Sequence, residues 1–288
     1  LTTQQRQRPP EQTDTVMQLS GSGGREFLHG QTTADFNDCV GGSLRYAAFC
    51  NPKGRVLADV LAVIIDEQTI LLRGRTTVMA ALAEHLKPYL AFSRCSLTPT
   101  DWCISCHAGS TDEHHAKLRF VEASLAAVTV PMGPEHIECW TAPHERQNEA
   151  LSERLWLEIK NQRARIESQT IASYLPQDLD YDSNGTVSFT KGCYTGQEIV
   201  ARLHYRGTPK RRLHRAETAA SVLAGDSLVN AEGKTVGSIV NHCLKDQTHE
   251  LLIELIPEAA AGPIMLKGGH GELSQVTRCY GDKDQSTG

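Results

Sequence analysis

The hydrophobic and polar positions in the first part of the chain predict a succession of strands and helices, with weak alternation at residues 15–19 and apolar runs after it. Apolar and β-favouring residues predict four strands, and two further stretches have helical composition. The predicted strands cover residues 15–19, 44–49, 56–65 and 69–72, and the predicted helices cover residues 25–31 and 76–86. Because proline cannot continue a helix, we expect Pro88 to end the second helix.

A tight turn is predicted between the second and third strands. The residues between them are Asn51, Pro52, Lys53 and Gly54. Proline presets one turn dihedral angle and glycine permits a positive one, so the two strands should form a β-hairpin.

The pattern changes beyond residue 210. Before it, strands are predicted at 102–107, 118–130 and 136–140, with a helix at 148–159. After it, short apolar pieces separated by turn signals predict an antiparallel barrel or sandwich. These pieces are residues 228–229, 236–240, 251–256 and 264–266, and Val276. We therefore expect an α+β body followed by an all-β tail.

Composition and charge narrow the class of protein. Of 288 residues, 40% are hydrophobic and 22% are charged, which is ordinary for a globular protein, and the net charge is -5. No apolar run reaches the roughly 20 residues that span a bilayer, so no membrane partner is expected. The polar residues 1–12 lack the apolar middle of a secretory signal, and nine scattered cysteines suggest reduced thiols. We expect a cytoplasmic protein, with a removed organellar targeting segment as the open alternative.

The segment most informative about chemistry is residues 187–207, VSFTKGCYTGQEIVARLHYRG. Thr195 and Glu198 have the spacing of a capping box, which predicts a helix beginning there. Cys193 lies two residues before that predicted start, and Lys191 is close in sequence. Amide dipoles and a nearby cation both favour a thiolate. The alternatives are a merely buried Cys193 and a Glu198 that only caps the helix.

Two other groups of residues could bind ligands. Cys103, Cys106 and His107 match a haem-attachment pattern and offer soft ligands for zinc. In a strand, however, the two cysteines would point to opposite faces, so no metal or haem is expected. Residues 191–215 carry seven basic side chains, which could bind the glutamate tail of folate, bind phosphate, or simply face solvent. Because aromatic residues such as Tyr205 are few in this segment, we do not expect direct nucleic-acid binding.

Residues 191–198, KGCYTGQE, followed by Arg202, resemble the signature of the YgfZ family. This family is related to the glycine-cleavage T-protein, a tetrahydrofolate-dependent aminomethyltransferase. Residues 27–35 (FLHGQTTAD), 51–57 (NPKGRVL) and 176–178 (PQD) are similar to further family blocks and occur in the family order.

The resemblance implies an aminomethyltransferase-like folate-binding fold, with two α/β subdomains and a C-terminal antiparallel β-barrel around a central channel. We assign these units to residues 1–95, 96–207 and 208–288. The implied cofactor is tetrahydrofolate or a related reduced folate, and the implied partners are iron–sulfur client or assembly proteins, including a cluster enzyme that modifies tRNA. The loop that carries Cys193, which we call the cysteine loop, should line the channel. Cys193 should be the reactive residue. The residues expected to bind folate are Lys191, Tyr194, Gln197, Arg202, Gln31, Asn51, Lys53 and Asp59.

Two departures from the family pattern bear on the reaction. Transferase relatives carry adjacent acids where this chain has Ala58 and Asp59, which argues against aminomethyl transfer. Gln162 and Ala164 stand where the family often has Gly and Pro, so ligand contacts from that loop are not carried over. The alternatives to a thiol-dependent folate protein are a folate-dependent aminomethyl- or methyltransferase and a non-catalytic docking module for iron–sulfur clients.

Overall fold

Three antiparallel β-sheets make up the framework of the part described by the computed structural model, which covers residues 13–109, 121–141, 151–269 and 271–280. The first sheet has the spatial order β2-β3-β4-β1-β5. Its strands are β1 (Asp14–Ser20), β2 (Leu44–Cys50), β3 (Val56–Ile64), β4 (Thr69–Arg75) and β5 (Ser96–Pro99). The four predicted strands and the hairpin between β2 and β3 are confirmed. β5 follows the predicted segment boundary at residue 95 and still pairs with β1.

Two helices accompany this sheet, α1 (Gly24–Gln31) and α2 (Thr76–Leu90). The apolar face of α2 buries Val78, Met79, Leu82 and Leu86. The prediction that Pro88 ends α2 was wrong, because the helix continues to Leu90. Pro88 removes one hydrogen bond near the helix end, and the residue whose carbonyl is freed, Glu84, is exposed to water. No helix among the described residues is long and apolar enough to cross a membrane.

The second sheet has the order β6-β9-β8-β7. Its strands are β6 (Cys103–Ala108), β7 (Glu122–Ala123), β8 (Ala127–Pro131) and β9 (His136–Thr141), and α3 (Leu151–Lys160) follows. The strand or strand pieces predicted over 118–130 are two strands, because Ser124 makes a turn in which its hydroxyl accepts from the amides of Ala126 and Ala127. Residues 118–120 and 148–150 of the predicted elements lie outside the described residues.

The C-terminal part forms a six-stranded antiparallel sheet in the order β14-β11-β12-β13-β10-β15. Helix α4 (Gln197–Arg206) precedes it. The strands are β10 (Arg212–Thr218), β11 (Ser227–Val229), β12 (Thr235–Lys245), β13 (Thr248–Leu255), β14 (Met265–Leu266) and β15 (Ser274–Arg278). Alternate residues such as Leu251, Ile253 and Leu255 face its buried side. The predicted α+β body with an antiparallel tail is confirmed.

The largest hydrophobic core joins the first sheet, α3 and the third sheet. Leu28 and Phe49 from the first sheet region pack in the same cluster as Ile159 from α3 and Leu213 and Leu252 from the third sheet. Burial of apolar surface contributes roughly 25 cal/mol per Å², so this shared core couples the sheets energetically.

A network of buried charges also joins the sheets. The carboxylate of Asp14 lies 2.7 Å from Nε of Arg73, 2.9 Å from Nη1 of Arg75 and 2.7 Å from Nη1 of Arg154. Burial raises the pKa of Asp14, but the guanidinium groups of Arg154, Arg73 and Arg75 outweigh it and hold that pKa well below its usual range. Asp14 is therefore an ionised anchor between β1, β4 and α3.

Glu158 on α3 extends this network. Its Oε1 accepts from Arg73 at 2.7 Å and from Arg165 at 2.8 Å, and its Oε2 accepts from Arg75 at 2.9 Å. Glu167 accepts from Arg75 at 3.0 Å and from Asn241 of β12 at 2.9 Å. Because removing one member of a buried ion pair leaves an uncompensated charge, the network fixes how the three sheets meet.

Candidate functional site

Lys191 anchors the cysteine loop to the end of α1. Its buried Nζ donates to the carbonyl oxygens of His29 and, at 2.7 Å, of Thr32. These carbonyls lie at the C-terminal end of α1, where a cation is favourable. Burial lowers the pKa of Lys191 to about 8, and the nearby Asp35 carboxylate opposes that shift. The predicted ligand-binding lysine therefore has a structural role in positioning the loop.

The loop also packs against the β2–β3 hairpin. Gly196 has φ of +84°, and a Cβ added to it would lie 3.1 Å from Cα of Gly54, 3.2 Å from Cβ of Cys50 and closer still to the carbonyl oxygen of Asn51. Only glycine combines this dihedral angle with such a close backbone approach. The three sequence blocks at 27–35, 51–57 and 191–198 are thus brought together in one place.

The capping box predicted at Thr195 and Glu198 is wrong. Helix α4 begins at Gln197, its N-cap is Gly196, and no side chain caps it. The left-handed conformation of Gly196, required by the contact with the hairpin, delays the helix start. Cys193 therefore lies four residues before the first helical residue, outside the first turn in which helix dipoles act strongly.

Cys193 is solvent-exposed, unlike the other cysteines, which are buried or partly buried. The cavities described below do not include it among their lining residues. The expectation that this thiol faces the channel stays a prediction, and the anchors at Lys191 and Gly196 hold its loop in a position where the sulfur is accessible to solvent. An exposed sulfur on a fixed loop can reach a partner molecule directly.

The neighbours of Cys193 differ in exposure. Tyr194 is buried, with Nζ of Lys191 4.9 Å from its ring centroid, and burial raises the pKa of its hydroxyl. The amide of Gln197 donates to the carbonyl of Tyr194 at 3.1 Å. Arg202 projects from α4 as an exposed side chain. The buried Tyr194 side chain therefore stabilises the cysteine loop, whereas the exposed Arg202 can contact a ligand or partner.

His29 is a residue near the cysteine that sequence reasoning missed. Its Nδ1 lies 3.2 Å from Oδ1 of Asp35, and a Cβ on Gly192 would lie 3.2 Å from its Nε2. The signal was present in the block at 27–35, where His29 and Asp35 follow a short apolar run. The contact with Asp35 thus holds the imidazole ring of His29 against the backbone of Gly192, the residue immediately before Cys193.

The three predicted residues from the first sheet region occupy different positions. Gln31 ends α1 and lines a shallow cavity of about 320 Å³ beside Phe92. Asn51 shapes the hairpin, since its Oδ1 accepts from the amides of Lys53 and Arg55 at 2.9 and 3.0 Å. The Lys53 side chain is exposed. The carbonyl oxygen of Asn51 lies close to Gly196 of the cysteine loop.

Asp59 lies in a second location, the inner wall of a cavity between β3 and residues 163–165. Its carboxylate accepts from the amide of Ile166 at 2.6 Å and from Nε of Arg165. Burial raises the pKa of Asp59 to about 7, against the hydrogen bond from Ile166. The carboxylate therefore positions Arg165 in the cavity wall.

The cavity beside Asp59, which we call the arginine cavity, has a main part of about 280 Å³ lined by Tyr46, Glu158, Arg163 and Arg165. A narrow extension of about 10 Å³ reaches Asp59 and Asn184. Cζ of Arg163 lies 3.9 Å from the ring centroid of Tyr46. The volume of the main part is near the lower end for ligand pockets.

Three buried donors in the arginine cavity have no hydrogen-bond partner within the described residues. They are Nη1 of Arg163, Nη2 of Arg165 and Nδ2 of Asn184. Buried donors are normally satisfied, so three unsatisfied donors on residues that line the same cavity favour a ligand with several acceptor atoms. The sequence did not single out Arg163 and Arg165, although two arginines spaced two apart after an apolar helix were a usable signal.

The arginine cavity and the cysteine loop are connected through Thr33. The Thr33 hydroxyl donates to the carbonyl of Thr186, which lines the cavity extension, at 2.8 Å. The amide of Ser188 donates to the carbonyl of Thr33 at 2.8 Å. From there the chain reaches Lys191 within three residues, so both places share one backbone segment.

The structure groups no three or more His, Cys, Asp or Glu side chains into a metal-binding arrangement within the ranges it describes. Cys103 and Cys106 lie on β6, with Cys103 partly exposed and Cys106 buried. Nε2 of His107 lies 2.9 Å from the hydroxyl of Ser105. The three side chains therefore have separate surroundings.

Comparison with known proteins gives relatives for both sequence and fold, although no family model matches the chain. A tRNA-modifying protein YgfZ from Yersinia pseudotuberculosis is 30% identical over 222 residues, which cover 69% of this chain and 67% of the relative. Its namesake from Blochmanniella pennsylvanica is 26% identical over 264 residues, which cover 80% of each chain.

The glycine cleavage system aminomethyltransferase T from Bartonella henselae superposes with a TM-score of 0.70, at 14% identity, over 93% of this chain and 83% of that one. This likeness confirms the predicted aminomethyltransferase-like fold. With the three blocks meeting around Lys191 and Gly196, and with the identity and coverage of its relatives, the chain belongs to the YgfZ family.

Proposed function

We propose that this protein binds tetrahydrofolate, or a related reduced folate, and supports the assembly or repair of iron–sulfur proteins through Cys193. The clients would include cluster enzymes that modify tRNA, in line with the tRNA-modifying names of its relatives. The observation that carries the folate part is the set of unpartnered donors on Arg163, Arg165 and Asn184.

The donors of the arginine cavity suit a reduced pterin chemically. The pterin ring offers a carbonyl oxygen and ring nitrogens as acceptors, and its amino group and ring N–H are donors for a carboxylate. Arg163 and Arg165 would hold the acceptors. Tyr46 would pack on the ring face. When bound, a reduced folate supplies one-carbon or reducing chemistry.

Titration of the purified protein with tetrahydrofolate under anaerobic conditions tests the ligand. Removing a buried charged donor costs roughly 1.5–3 kcal/mol, so Arg163→Met should weaken binding about tenfold or more. Arg202→Ala should weaken it less, because Arg202 is exposed. Arg94→Met, an exposed arginine outside the arginine cavity, is the matched control and should bind like the unmodified protein. Failure of the unmodified protein to bind tetrahydrofolate would overturn the ligand assignment.

The thiol part is tested separately. Cys193→Ser should fold normally because the side chain is exposed, yet it should fail to restore the activity of a cluster-containing tRNA-modifying enzyme in cells that lack the native protein. Cys103→Ser, a partly exposed cysteine on β6, is the control and should restore it. Full activity of Cys193→Ser would favour the docking module, in which the thiol has no chemical part.

The aminomethyltransferase alternative keeps one structural argument, the shared fold. Against it, Ala58 is buried and carries no acid, and both oxygens of the Asp59 carboxylate already accept hydrogen bonds from residues 165 and 166. A one-carbon transfer assay with tetrahydrofolate decides between the thiol-dependent folate protein and the aminomethyltransferase. Turnover in this assay would establish the transferase, and no thiol-dependent role would then be needed.

A further inference from the structure

A second cavity lies where the hairpin, α4 and the third sheet meet, and we call it the junction cavity. Its volume is about 550 Å³, within the range of small-molecule sites. Arg55 comes from the hairpin, Leu203 from α4 and Glu254 from β13. It shares no lining residue with the arginine cavity, so it is a distinct site.

The inner wall of the junction cavity carries a carboxylate with an unused oxygen. Glu254 is 1% exposed. Its Oε1 accepts from the hydroxyl of Ser238 at 2.8 Å and from Nη1 of Arg211 at 2.7 Å. Its Oε2 has no hydrogen-bond partner within the described residues. A buried carboxylate oxygen is costly without a donor, so a ligand with an N–H or ammonium group fits this wall.

The mouth of the junction cavity has the opposite charge. Lys210 is exposed there, and the side chain of Arg211 is only partly covered. Nη1 of Arg55 lies 3.8 Å from Oδ2 of Asp178, which the amide of Leu175 also approaches at 2.8 Å. The cationic side chains at the mouth outnumber that single carboxylate, so the mouth favours an anionic group.

Apolar side chains lie between these two polar regions. Leu175, Leu203 and the ring of Tyr174 line the cavity. The Tyr174 hydroxyl is already engaged, 3.0 Å from the hydroxyl of Ser238. The remaining surface of these residues therefore suits a hydrocarbon group rather than another polar one.

We propose that the junction cavity binds a small zwitterion of the α-amino-acid class that carries an apolar side chain. Its ammonium group meets Oε2 of Glu254, its carboxylate meets Lys210 and Arg211, and its side chain packs on Leu203. A simple anion is repelled by the inner carboxylate, and a simple cation is repelled at the mouth.

Calorimetric titration with L-leucine and L-phenylalanine tests this proposal, using N-acetyl-L-leucine, L-leucinamide and inorganic phosphate as comparison probes. N-acetylation removes the ammonium group and amidation removes the carboxylate, so each derivative should bind at least about tenfold more weakly than L-leucine, the effect of losing one charged contact. Absence of binding by both free amino acids, or equal binding of N-acetyl-L-leucine or phosphate, overturns the zwitterion assignment.

Two variants locate the site. Glu254→Gln keeps an acceptor for Ser238 and Arg211 and should weaken L-leucine binding about tenfold, and Lys210→Met, at an exposed position that does not threaten folding, should do the same. Glu232→Gln, on an exposed turn, is the control. Unchanged L-leucine binding in Lys210→Met and Glu254→Gln refutes the assignment to this cavity. Tetrahydrofolate binding should be unaffected in both, which keeps this test separate from that of the proposed function.

Discussion

Replacing Gly196 by alanine tests how the cysteine loop is held. Gly196 has φ of +84°, and an added Cβ would meet the carbonyl oxygen of Asn51 and Cα of Gly54. Gly233 offers a matched control, since its φ is +75° and an added Cβ would have nothing within 4 Å. The two substitutions share the cost of a left-handed alanine and differ only in the clash.

The expected magnitudes follow from these two terms. A non-glycine residue in the left-handed region costs roughly 1–2 kcal/mol, which applies to both Gly196→Ala and Gly233→Ala. Insertion of a methyl group into a packed region costs a further 1–3 kcal/mol or so, which applies to Gly196→Ala alone. The free energy of unfolding should therefore fall by about 2–5 kcal/mol in Gly196→Ala and by about 1–2 kcal/mol in Gly233→Ala.

Urea denaturation followed by circular dichroism measures both losses, and the reaction rate of Cys193 with a thiol reagent reports on the loop in native conditions. In Gly196→Ala the hairpin and the loop must separate, and the rate at which Cys193 reacts should therefore change. In Gly233→Ala the rate should stay the same. Equal losses of stability in the two variants, with unchanged thiol reactivity, would falsify the claim that the loop is clamped on the hairpin.

Three further outcomes are expected. Lys191→Met should lower the free energy of unfolding by about 2–4 kcal/mol in denaturant melts, because it leaves the carbonyl oxygens of His29 and Thr32 without a buried donor. A thiol reagent should modify Cys193 before any other cysteine of the native protein, since only its side chain is exposed, and mass spectrometry of the first adduct checks this. Burial raises the pKa of Glu254 from 4.5 to about 7, so its stabilising contribution is present below about pH 4.5 and is lost as the pH rises through 7. The stability of the unmodified protein relative to Glu254→Gln should therefore fall between pH 4 and 8, by up to about 3 kcal/mol.

For each of these three expected outcomes, one result would contradict the reasoning. Lys87→Met, at an exposed helical lysine, controls for the loss of charge and should cost little, so similar losses in both lysine variants would contradict the anchoring role. First modification at Cys103 or Cys139 would contradict the exposed loop. A constant difference between Glu254→Gln and the unmodified protein across pH would show that folding does not raise the pKa of this carboxyl group.

The elements could be predicted from the sequence because local patterns determine them. The apolar, β-favouring composition of β1 to β4 and the Asn51–Gly54 turn have short-range causes, and so do the short strands of the third sheet. The start of α4 could not be predicted in the same way. Thr195 and Glu198 have capping-box spacing, but contact with a hairpin more than 140 residues earlier in the chain requires a left-handed Gly196 and moves the start to Gln197.

The candidate site also has one part that local sequence patterns predict and another part that only the folded chain creates. The blocks that meet around Cys193 were recognisable because each is a continuous motif. The arginine cavity was not, because its donors and carboxylates come from β3, α3 and the loop after α3, and their relation exists only in the folded chain. Asp59 was the one residue of this cavity expected to bind folate, and the structure gives it Arg165 as a direct partner.

Asp14 sets a limit on how far the chain can be shortened from its amino end. The carboxylate bonds arginines of both β4 and α3, and loss of one partner from a buried ion pair typically costs about 3–5 kcal/mol. A proteolytic cut or an expression boundary placed after this residue would leave three guanidinium groups competing for the remaining acids. Any shortened version that retains the native arrangement must therefore begin upstream of β1.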